Sequence, residues 1–263
     1  MVTKNTILSR KDASLLEDLV VRYGRIVSFD EVKEVFSKNY SAANLKRRVS
    51  LLTKIGWLAR FKKGLYAVVT DIGSLSAGDI SGYTICQALN KDSYVSFESA
   101  LQHHSMFDQM LSSVGAVTFR RARSYKVKGT RIRFFKIKKR LYFGFEEVRS
   151  DIGLVNVALK EKALLDILYF RSNRYYAGLV WEKLREHKRT IDFDILKRYA
   201  LRFNLDVIRQ VGFFLDLLGI ETGNLLKAIS GKTSYSRMTK ESKRFNSKWR
   251  IYFDDSVVGQ VGP

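Results

Sequence analysis

The stretch AANLKRRVSLLTKIGWLARFKKGLYAV, residues 42–68, determines the fold expected for the N-terminal part of the chain. Leu45, Val49 and Leu52 recur at i, i+4 and i+7, which places them on one apolar stripe of a helix. Ser41 stands where this helix can be capped, and Gly56 stands where it can end. The stretch therefore predicts an amphipathic helix that packs through its apolar stripe.

The opposite side of this helix is basic. At about 100° per residue, Arg47 and Lys54 point almost directly away from the stripe, with Ser50 beside them and Asn44 and Lys46 on the flanks. Residues 41–64 contain seven basic residues and no acidic one. A solvated helix face is the common meaning of a charge run, but such faces usually mix signs, so this one indicates a polyanionic partner.

Two helices are expected before this one. The apolar spacing over residues 13–23 predicts the first, and Gly24 provides its end. Ser28, with Glu31 three residues later, matches the capping box of a short second helix. The basic helix is therefore the third of three.

A basic hairpin is predicted after the third helix. The alternating segments WLARF and LYAVV flank the turn KKG, in which Gly64 supplies a positive φ. Three helices followed by such a hairpin is the order of a winged helix-turn-helix, whose third helix enters the major groove while the wing lies on phosphate. We therefore predict a DNA-binding domain over residues 1–75. The residues predicted to contact DNA are Asn44, Lys46, Arg47, Ser50, Lys54, Lys62 and Lys63.

The composition of the whole chain agrees with a polyanionic partner. Its 263 residues include 47 Lys and Arg against 26 Asp and Glu, a net charge of +21. Nucleic acid, an anionic membrane surface and an acidic protein all fit this charge. A single cysteine, Cys86, excludes an intramolecular disulfide and a cysteine-based zinc cluster, as expected in a reducing cytoplasm.

Membrane insertion and stable self-association are not expected. The N-terminus lacks a signal-peptide pattern, and no stretch approaches 18 apolar residues without charge. No long heptad pattern is present, so we expect a cytoplasmic monomer that pairs only on DNA.

The sign of the charge reverses after the hairpin. Residues 71–117 contain five acidic residues and one basic residue, which indicates a domain boundary near residues 70–80. The second domain, residues 76–263, is predicted to hold an antiparallel sheet over about residues 115–157, helices over about 158–230 packed as a bundle, and a basic tail. The fold class expected is α+β. The tail fits either a mobile arm or a docked terminal strand.

A second basic segment lies in the predicted sheet. Residues 118–140 contain eleven Lys or Arg and no acidic residue, and they alternate with aromatic and branched residues. An antiparallel meander with one strongly positive face is expected, which suits either a second nucleic-acid contact or an acidic protein partner. The residues singled out are Arg120, Arg121, Arg123, Arg131, Arg133 and Lys136.

No catalytic residue, metal or cofactor is predicted. The chain has neither a glycine-rich phosphate loop between a strand and a helix nor a nucleophile elbow. His103 and His104 are adjacent and would point about 100° apart on a helix, so they cannot share a metal from it. Asp192 and Asp194 are better explained as the cap and first turn of a helix than as a carboxylate pair for a metal.

Several motifs in order make the chain resemble the AbiE-type antitoxins, which are also called AbiEi transcriptional regulators. These motifs are the predicted winged helix at 10–70, GLY at 64–66, YVSFESALQHHSM at 94–106, GTRIRFF at 129–135 and NVALKEKALLDIL at 156–168. The resemblance covers nearly all of the chain.

The resemblance implies a bacterial, non-enzymatic protein with two roles. The winged helix would repress its own operon by binding promoter inverted repeats, and the C-terminal domain would neutralise a nucleotidyltransferase-like toxin encoded alongside, as in abortive infection against phage. By the match of motifs, the DNA-facing residues would be those of the third helix and wing. The alternatives are a stand-alone winged-helix regulator without a toxin and, behind it, a nucleic-acid-processing enzyme that uses Asp192 or Asp194.

Overall fold

Three helices and a three-stranded sheet form the N-terminal part of the computed structural model, which describes residues 8–70, 80–127 and 129–259. The elements are α1 (Arg10–Tyr23), β1 (Ile26–Ser28), α2 (Phe29–Phe36), α3 (Ala42–Ile55), β2 (Leu58–Lys62) and β3 (Leu65–Val68). Strand β3 lies between β1 and β2 and pairs antiparallel with both. The sequence pattern does not predict β1, because three residues are too few to show alternation.

The helix ends follow the predicted signals with one exception. Gly24 and Gly56 stand at the C-terminal ends of α1 and α3 with φ of 79° and 101°. The capping box of α2 is complete, with Ser28 and Glu31 each bonded to the other's backbone nitrogen. Ser41 occupies the N-cap position of α3, but its side chain makes no cap hydrogen bond within the described part of the chain.

A six-stranded sheet forms the middle of the molecule. Its strands and the helices between them are α4 (Gly82–Leu89), β4 (Ser93–Val95), α5 (Phe97–His103), β5 (Ser113–Thr118), β6 (Arg123–Val127), β7 (Thr130–Lys136), β8 (Phe145–Ser150) and β9 (Gly153–Ala158). The strand order is β6-β7-β5-β4-β9-β8. The domain boundary predicted near residues 70–80 falls largely on residues 71–79, which lie outside the described part of the chain.

The predicted antiparallel meander is wrong, because the sheet is mixed. Strand β7 pairs antiparallel with β6 but parallel with β5, and β4 pairs parallel with β9. The chain leaves β5, passes over the neighbouring position to form β6 at the edge, and returns as β7 between them. Alternation along a strand shows which residues face the core, but it carries no information about which strand lies beside it.

Helices and a small sheet follow the mixed sheet. The helices are α6 (Lys160–Phe170), α7 (Arg174–Glu186), α8 (Phe193–Ala200), α9 (Leu205–Leu217) and α10 (Gly223–Ile229), and the last elements are β10 (Ser236–Arg237), β11 (Arg244–Asn246), β12 (Ile251–Phe253) and α11 (Asp255–Val258). Helix α6 is buried over most of its length and contacts α7, α8 and α9. The chain is an α+β protein, as its patterning predicts.

The basic tail docks as strands on α9. Trp249 is fully buried, and its Nε1 atom donates to Asp216 Oδ2 over 2.6 Å. The rings of Phe213 on α9 and Phe253 on β12 lie 4.8 Å apart between centroids. Of the two arrangements open from the sequence, the structure has the docked strand.

A buried ion pair lies between the mixed sheet and α6. Lys162 and Asp166, spaced for an i, i+4 pair, are both fully buried, and Lys162 Nζ also donates to Tyr94 Oη over 2.6 Å. Tyr94 Oη and Ser96 Oγ donate to Asp166 at 3.0 and 2.8 Å. The hydroxyl of Ser96 therefore bonds to this pair, and it makes no cap hydrogen bond to α5 within the described part of the chain. Burial lowers the pKa of Lys162, although the Asp166 carboxylate opposes that shift.

Candidate nucleic-acid interface

Two contacts determine how α3 packs on the elements around it. The predicted stripe of Leu45, Val49 and Leu52 is buried against the core. On one flank of the helix, Arg48 pairs with the carboxylate of Asp12, which is fully buried on α1, and its Nε atom lies 2.6 Å from Asp12 Oδ1. Since a buried carboxylate must be paired to be stable, this contact orients α3 about its own axis.

The outward face of α3 is the one that the sequence predicts. All five predicted residues of the helix are exposed: Asn44, Lys46, Arg47, Ser50 and Lys54. Because Arg48 is held by Asp12, the cations of α3 that remain directed to solvent are Lys46, Arg47 and Lys54. A basic face thus stands opposite the apolar stripe.

The hairpin has the turn that the sequence predicts. Gly64 has φ of 78°, and its carbonyl oxygen accepts a hydrogen bond of 2.9 Å from the backbone nitrogen of Phe29 at the start of α2. Strand β2 is irregular between Arg60 and Lys62. The turn is therefore tied to the helices instead of projecting freely.

A cleft of about 420 Å³ joins α3 to the hairpin. Lys46, Ser50 and Thr53 line it from the helix, and Arg60 and Lys63 line it from the hairpin. Cations from two separate elements therefore face one concave surface. Arg60 and Thr53 were not among the predicted contacts, although the alternation of Arg60 with the buried Phe61 indicates that Arg60 faces outward.

Lys62 is placed differently from Lys63. Its side chain turns away from α3, and Nζ donates to the carbonyl oxygen of Leu89 at the end of α4, over 3.0 Å. A cation at a helix C-terminus meets the negative end of the helix dipole. Lys62 therefore connects the hairpin to α4.

A second, smaller cleft begins at Lys62. It encloses about 250 Å³, and its far side is lined by Arg120 and Arg121 from the connection between β5 and β6 and by Arg123 at the start of β6. Arg120 is paired with Asp92 over 2.8 Å, and both side chains are largely exposed. This group extends the basic surface from the hairpin onto the edge of the mixed sheet.

The basic residues singled out in residues 118–140 divide between both faces of the sheet, so they do not form a single patch. Arg131 and Arg133 alternate with the buried Ile132 and Phe134 along β7. Arg123 pairs in register with Phe134, so it shares the face opposite to Arg131 and Arg133. Lys136 is exposed at the end of β7, on the side of Phe134 by the same alternation.

The two carboxylates considered for catalysis, Asp192 and Asp194, bond to groups of α8. Asp192 Oδ1 accepts hydrogen bonds of 2.9 Å from the backbone nitrogens of Asp194 and Ile195, and Asp194 pairs with Lys197. Asp192 is therefore the N-cap of α8, as predicted. Among the described residues, no group of three or more His, Cys, Asp or Glu side chains is placed to hold a metal ion.

His104 has a backbone partner, and Cys86 is buried. The Nε2 atom of His104 lies 2.8 Å from the carbonyl oxygen of Ala158. Cys86 is buried, and burial raises the pKa of its thiol to about 12, which keeps it protonated at neutral pH. None of the described helices is long and apolar enough to cross a membrane.

These features define an α+β protein with a basic helix-and-hairpin surface that continues onto a mixed sheet. A solved structure with a similar fold is described as the crystal structure of the RV2827C protein from Mycobacterium tuberculosis. The TM-score is 0.58 at 13% sequence identity, and the match covers 94% of this chain and 92% of the other. No protein-family model matches the chain, and no curated protein matches it significantly. The likeness shows a shared fold over nearly the whole of both chains.

Proposed function

We propose that residues 8–70 form a winged helix-turn-helix that binds duplex DNA, with α3 in the major groove and the β2–β3 hairpin as the wing. The observation that carries this proposal is the cleft in which Lys46 and Ser50 of α3 face Arg60 and Lys63 of the hairpin. A helix that enters a groove and a wing that lies on phosphate need cations on both elements, directed to one side.

The two elements have different roles in this proposal. Arg47 and Asn44 lie on the exposed face of the first half of α3, where recognition helices contact base edges. Lys63, at the tip of the hairpin, supplies a phosphate contact that positions the domain without reading sequence. Arg121 and Arg123 continue this basic surface and extend the contact to flanking phosphates.

For the whole chain we propose an AbiE-type antitoxin that represses its own operon and neutralises a nucleotidyltransferase-like toxin. The antitoxin role is supported by the order of motifs in the sequence, and the C-terminal helices then form the bundle of the antitoxin domain. It does not require the protein to be an enzyme. The alternative, a stand-alone regulator, is separated from it by whether an adjacent reading frame encodes a nucleotidyltransferase.

A toxin-directed surface is assigned to one face of the mixed sheet. Arg131 and Arg133 are exposed on the face opposite to Arg123, away from the cleft beside the hairpin. Nucleotidyltransferases hold a divalent metal with carboxylates, so an arginine face can cover such an acidic cleft.

The test of the DNA-binding role is a salt titration on duplex DNA. The purified protein is bound to its own upstream region and to a scrambled duplex of equal length. We expect about a thousandfold preference for the upstream region and a steep decrease of affinity with salt. Equal affinity for both duplexes would contradict an autorepressor.

The test of the antitoxin role is growth of cells that express the neighbouring toxin. Arg131→Glu combined with Arg133→Glu should abolish rescue, while Arg149→Glu, an exposed arginine of β8, should leave rescue intact. Thermal unfolding checks that each variant is folded. Full rescue by the folded double variant would exclude this face as the toxin-binding surface.

A further inference from the structure

The small C-terminal sheet has an aromatic outer face. Strand β12 buries Ile251 and Phe253 toward α9, so Tyr252 between them faces outward. In register, Tyr252 lies opposite Arg237 on β10 and Phe245 on β11. One arginine and two aromatic rings therefore stand side by side across the three strands.

A third ring completes this surface. Tyr235 lies with its ring centroid 5.3 Å from that of Tyr252, and Phe245 lies 4.9 Å from it on the other strand. Tyr235 is 58% exposed and Phe245 is 47% exposed. The guanidinium of Arg237 is 4.2 Å from the centroid of Tyr252. We call Tyr235, Arg237, Phe245 and Tyr252 the aromatic platform.

The surroundings of the aromatic platform are basic. Residues 232–253 contain seven Lys and Arg and one acidic residue. Arg237 donates to the carbonyl oxygen of Ser242 over 2.8 Å, and Arg250 donates to that of Ser234 over 3.1 Å. Bonds to neutral carbonyls orient these guanidinium groups without neutralising their charge. Aromatic rings are thus interleaved with oriented positive charge.

The platform is held rigidly on the domain. Arg209 of α9 is buried and donates to Ser236 Oγ at 3.0 Å and to the carbonyl oxygen of Ser234 at 2.7 Å. Trp249 anchors the other end of the tail in the core. Because the backbone beneath the rings is fixed, binding a ligand there costs little ordering entropy.

We infer that the aromatic platform binds single-stranded RNA, by stacking unpaired bases on the exposed rings of Tyr235 and Phe245 while the surrounding Lys and Arg contact phosphates. Stacking requires a free base face, which duplexes do not offer, and sheets with exposed aromatic rings recognise single strands in this way. RNA is the partner because its loops and ends are where unpaired bases are recognised through aromatic stacking. The platform uses elements separate from α3 and the hairpin, so this inference does not depend on the proposed DNA contact.

The test is fluorescence anisotropy of the full chain with a labelled 12-nucleotide RNA that has no self-complementarity. Tyr235→Ala combined with Phe245→Ala should weaken binding about 25-fold or more, from about fivefold for each lost stack. Tyr235→Trp combined with Phe245→Trp should retain binding, since a larger ring also stacks. Tyr175→Ala, which removes a tyrosine that is 54% exposed on α7, is the matched control and should have no effect.

The same assay contains the outcomes that overturn the inference. Equal affinity of the alanine variant and the Tyr175→Ala control would show that charge alone binds the RNA. Equal affinity for the same RNA in a duplex would exclude base stacking, and equal affinity for a DNA strand of the same sequence would overturn the assignment to RNA. Lys63→Ala should leave RNA binding unchanged while it weakens binding of duplex DNA.

Discussion

The Nζ atom of Lys62 donates a hydrogen bond of 3.0 Å to the carbonyl oxygen of Leu89, while the neighbouring Lys63 lines the cleft beside α3. The side chains of two adjacent lysines in the hairpin therefore point to opposite sides of it. One connects it to the helix α4, and the other belongs to the basic surface that we assign to DNA.

Replacing Lys62 should mainly affect the stability of the protein, and replacing Lys63 should mainly affect its affinity for DNA. Lys62→Met should lower the free energy of unfolding by about 0.5–1.5 kcal/mol, because a hydrogen bond to a helix C-terminus is lost. Lys63→Met should change it by less than about 0.5 kcal/mol and should weaken DNA binding more than Lys62→Met does. Denaturant unfolding and a DNA titration measure both quantities. Equal stability of the two variants would show that the contact of Lys62 with Leu89 contributes nothing.

Arg47 should contribute to sequence-specific DNA binding, whereas Lys63 should contribute equally to binding of any DNA sequence. Arg47→Ala should cost about 1–3 kcal/mol on the preferred site and relax base preference, if Arg47 binds a guanine. Lys63→Ala should weaken all sequences alike and reduce the salt slope by about one ion. Binding to specific and random duplexes measures the difference, with Lys227→Ala on α10 as a control of equal charge change. The same loss on both duplexes for both variants would mean that the base-reading face is assigned wrongly.

Two glycines in helices test the docking of the tail. A Cβ atom at Gly212 of α9 would lie 2.2 Å from the ring of Trp249, whereas one at Gly178 of α7 would meet no described atom within 4 Å. Gly212→Ala should therefore destabilise the protein by about 1–3 kcal/mol through overpacking. Gly178→Ala should stabilise it by up to about 1 kcal/mol through helix propensity. Thermal unfolding of the two variants measures this, and a stabilising Gly212→Ala would contradict the packing of Trp249 on α9.

Removing one partner of the buried pair of Lys162 and Asp166 should lower the free energy of unfolding far more than replacing both partners with apolar residues. Asp166→Ala leaves an unpaired buried ammonium group and should destabilise the fold by about 3–5 kcal/mol. Lys162→Met combined with Asp166→Leu removes both charges and should recover much of that loss. Denaturant unfolding of the single and double variants forms the comparison. A double variant as unstable as the sum of both single variants would contradict the coupling.

Acid stability should depend on Asp151. Partial burial raises the pKa of this carboxyl, but hydrogen bonds from Thr84, Ser81 and Ser150 outweigh it and lower the pKa from 3.8 to about 2. Since the folded state then binds its proton less tightly than the unfolded state, Asp151 contributes stability above pH 3.8, and this is lost as the pH falls toward 2.

The measurement is the difference in melting temperature between the native chain and Asp151→Asn at a series of pH values. That difference should be largest above about pH 5 and should shrink between pH 4 and pH 2. Asp108→Asn, at an exposed loop carboxylate, is the control and should show a smaller difference throughout. A difference that stays constant from pH 6 to pH 2 would contradict the lowered pKa of Asp151.

The sequence by itself determined the local structure and the outward face of α3. Leu45, Val49 and Leu52 define the buried stripe by spacing alone, and the capping box of Ser28 and Glu31 forms as expected. Both follow from helical periodicity and from backbone groups that must be satisfied within a few residues. Arg47 is exposed for the same reason, because helical periodicity places it on the side of α3 opposite to that stripe.

Only the tertiary structure decided which strands and side chains meet across long separations in the chain. The insertion of β7 between β6 and β5 places Arg123 on the face opposite to Arg131 and Arg133. The contact of Lys62 with Leu89 and the row formed by Arg237, Tyr252 and Phe245 depend equally on strand order and register. Alternation assigns each side chain to one of two faces, but the neighbour across a sheet is set by how the whole core packs.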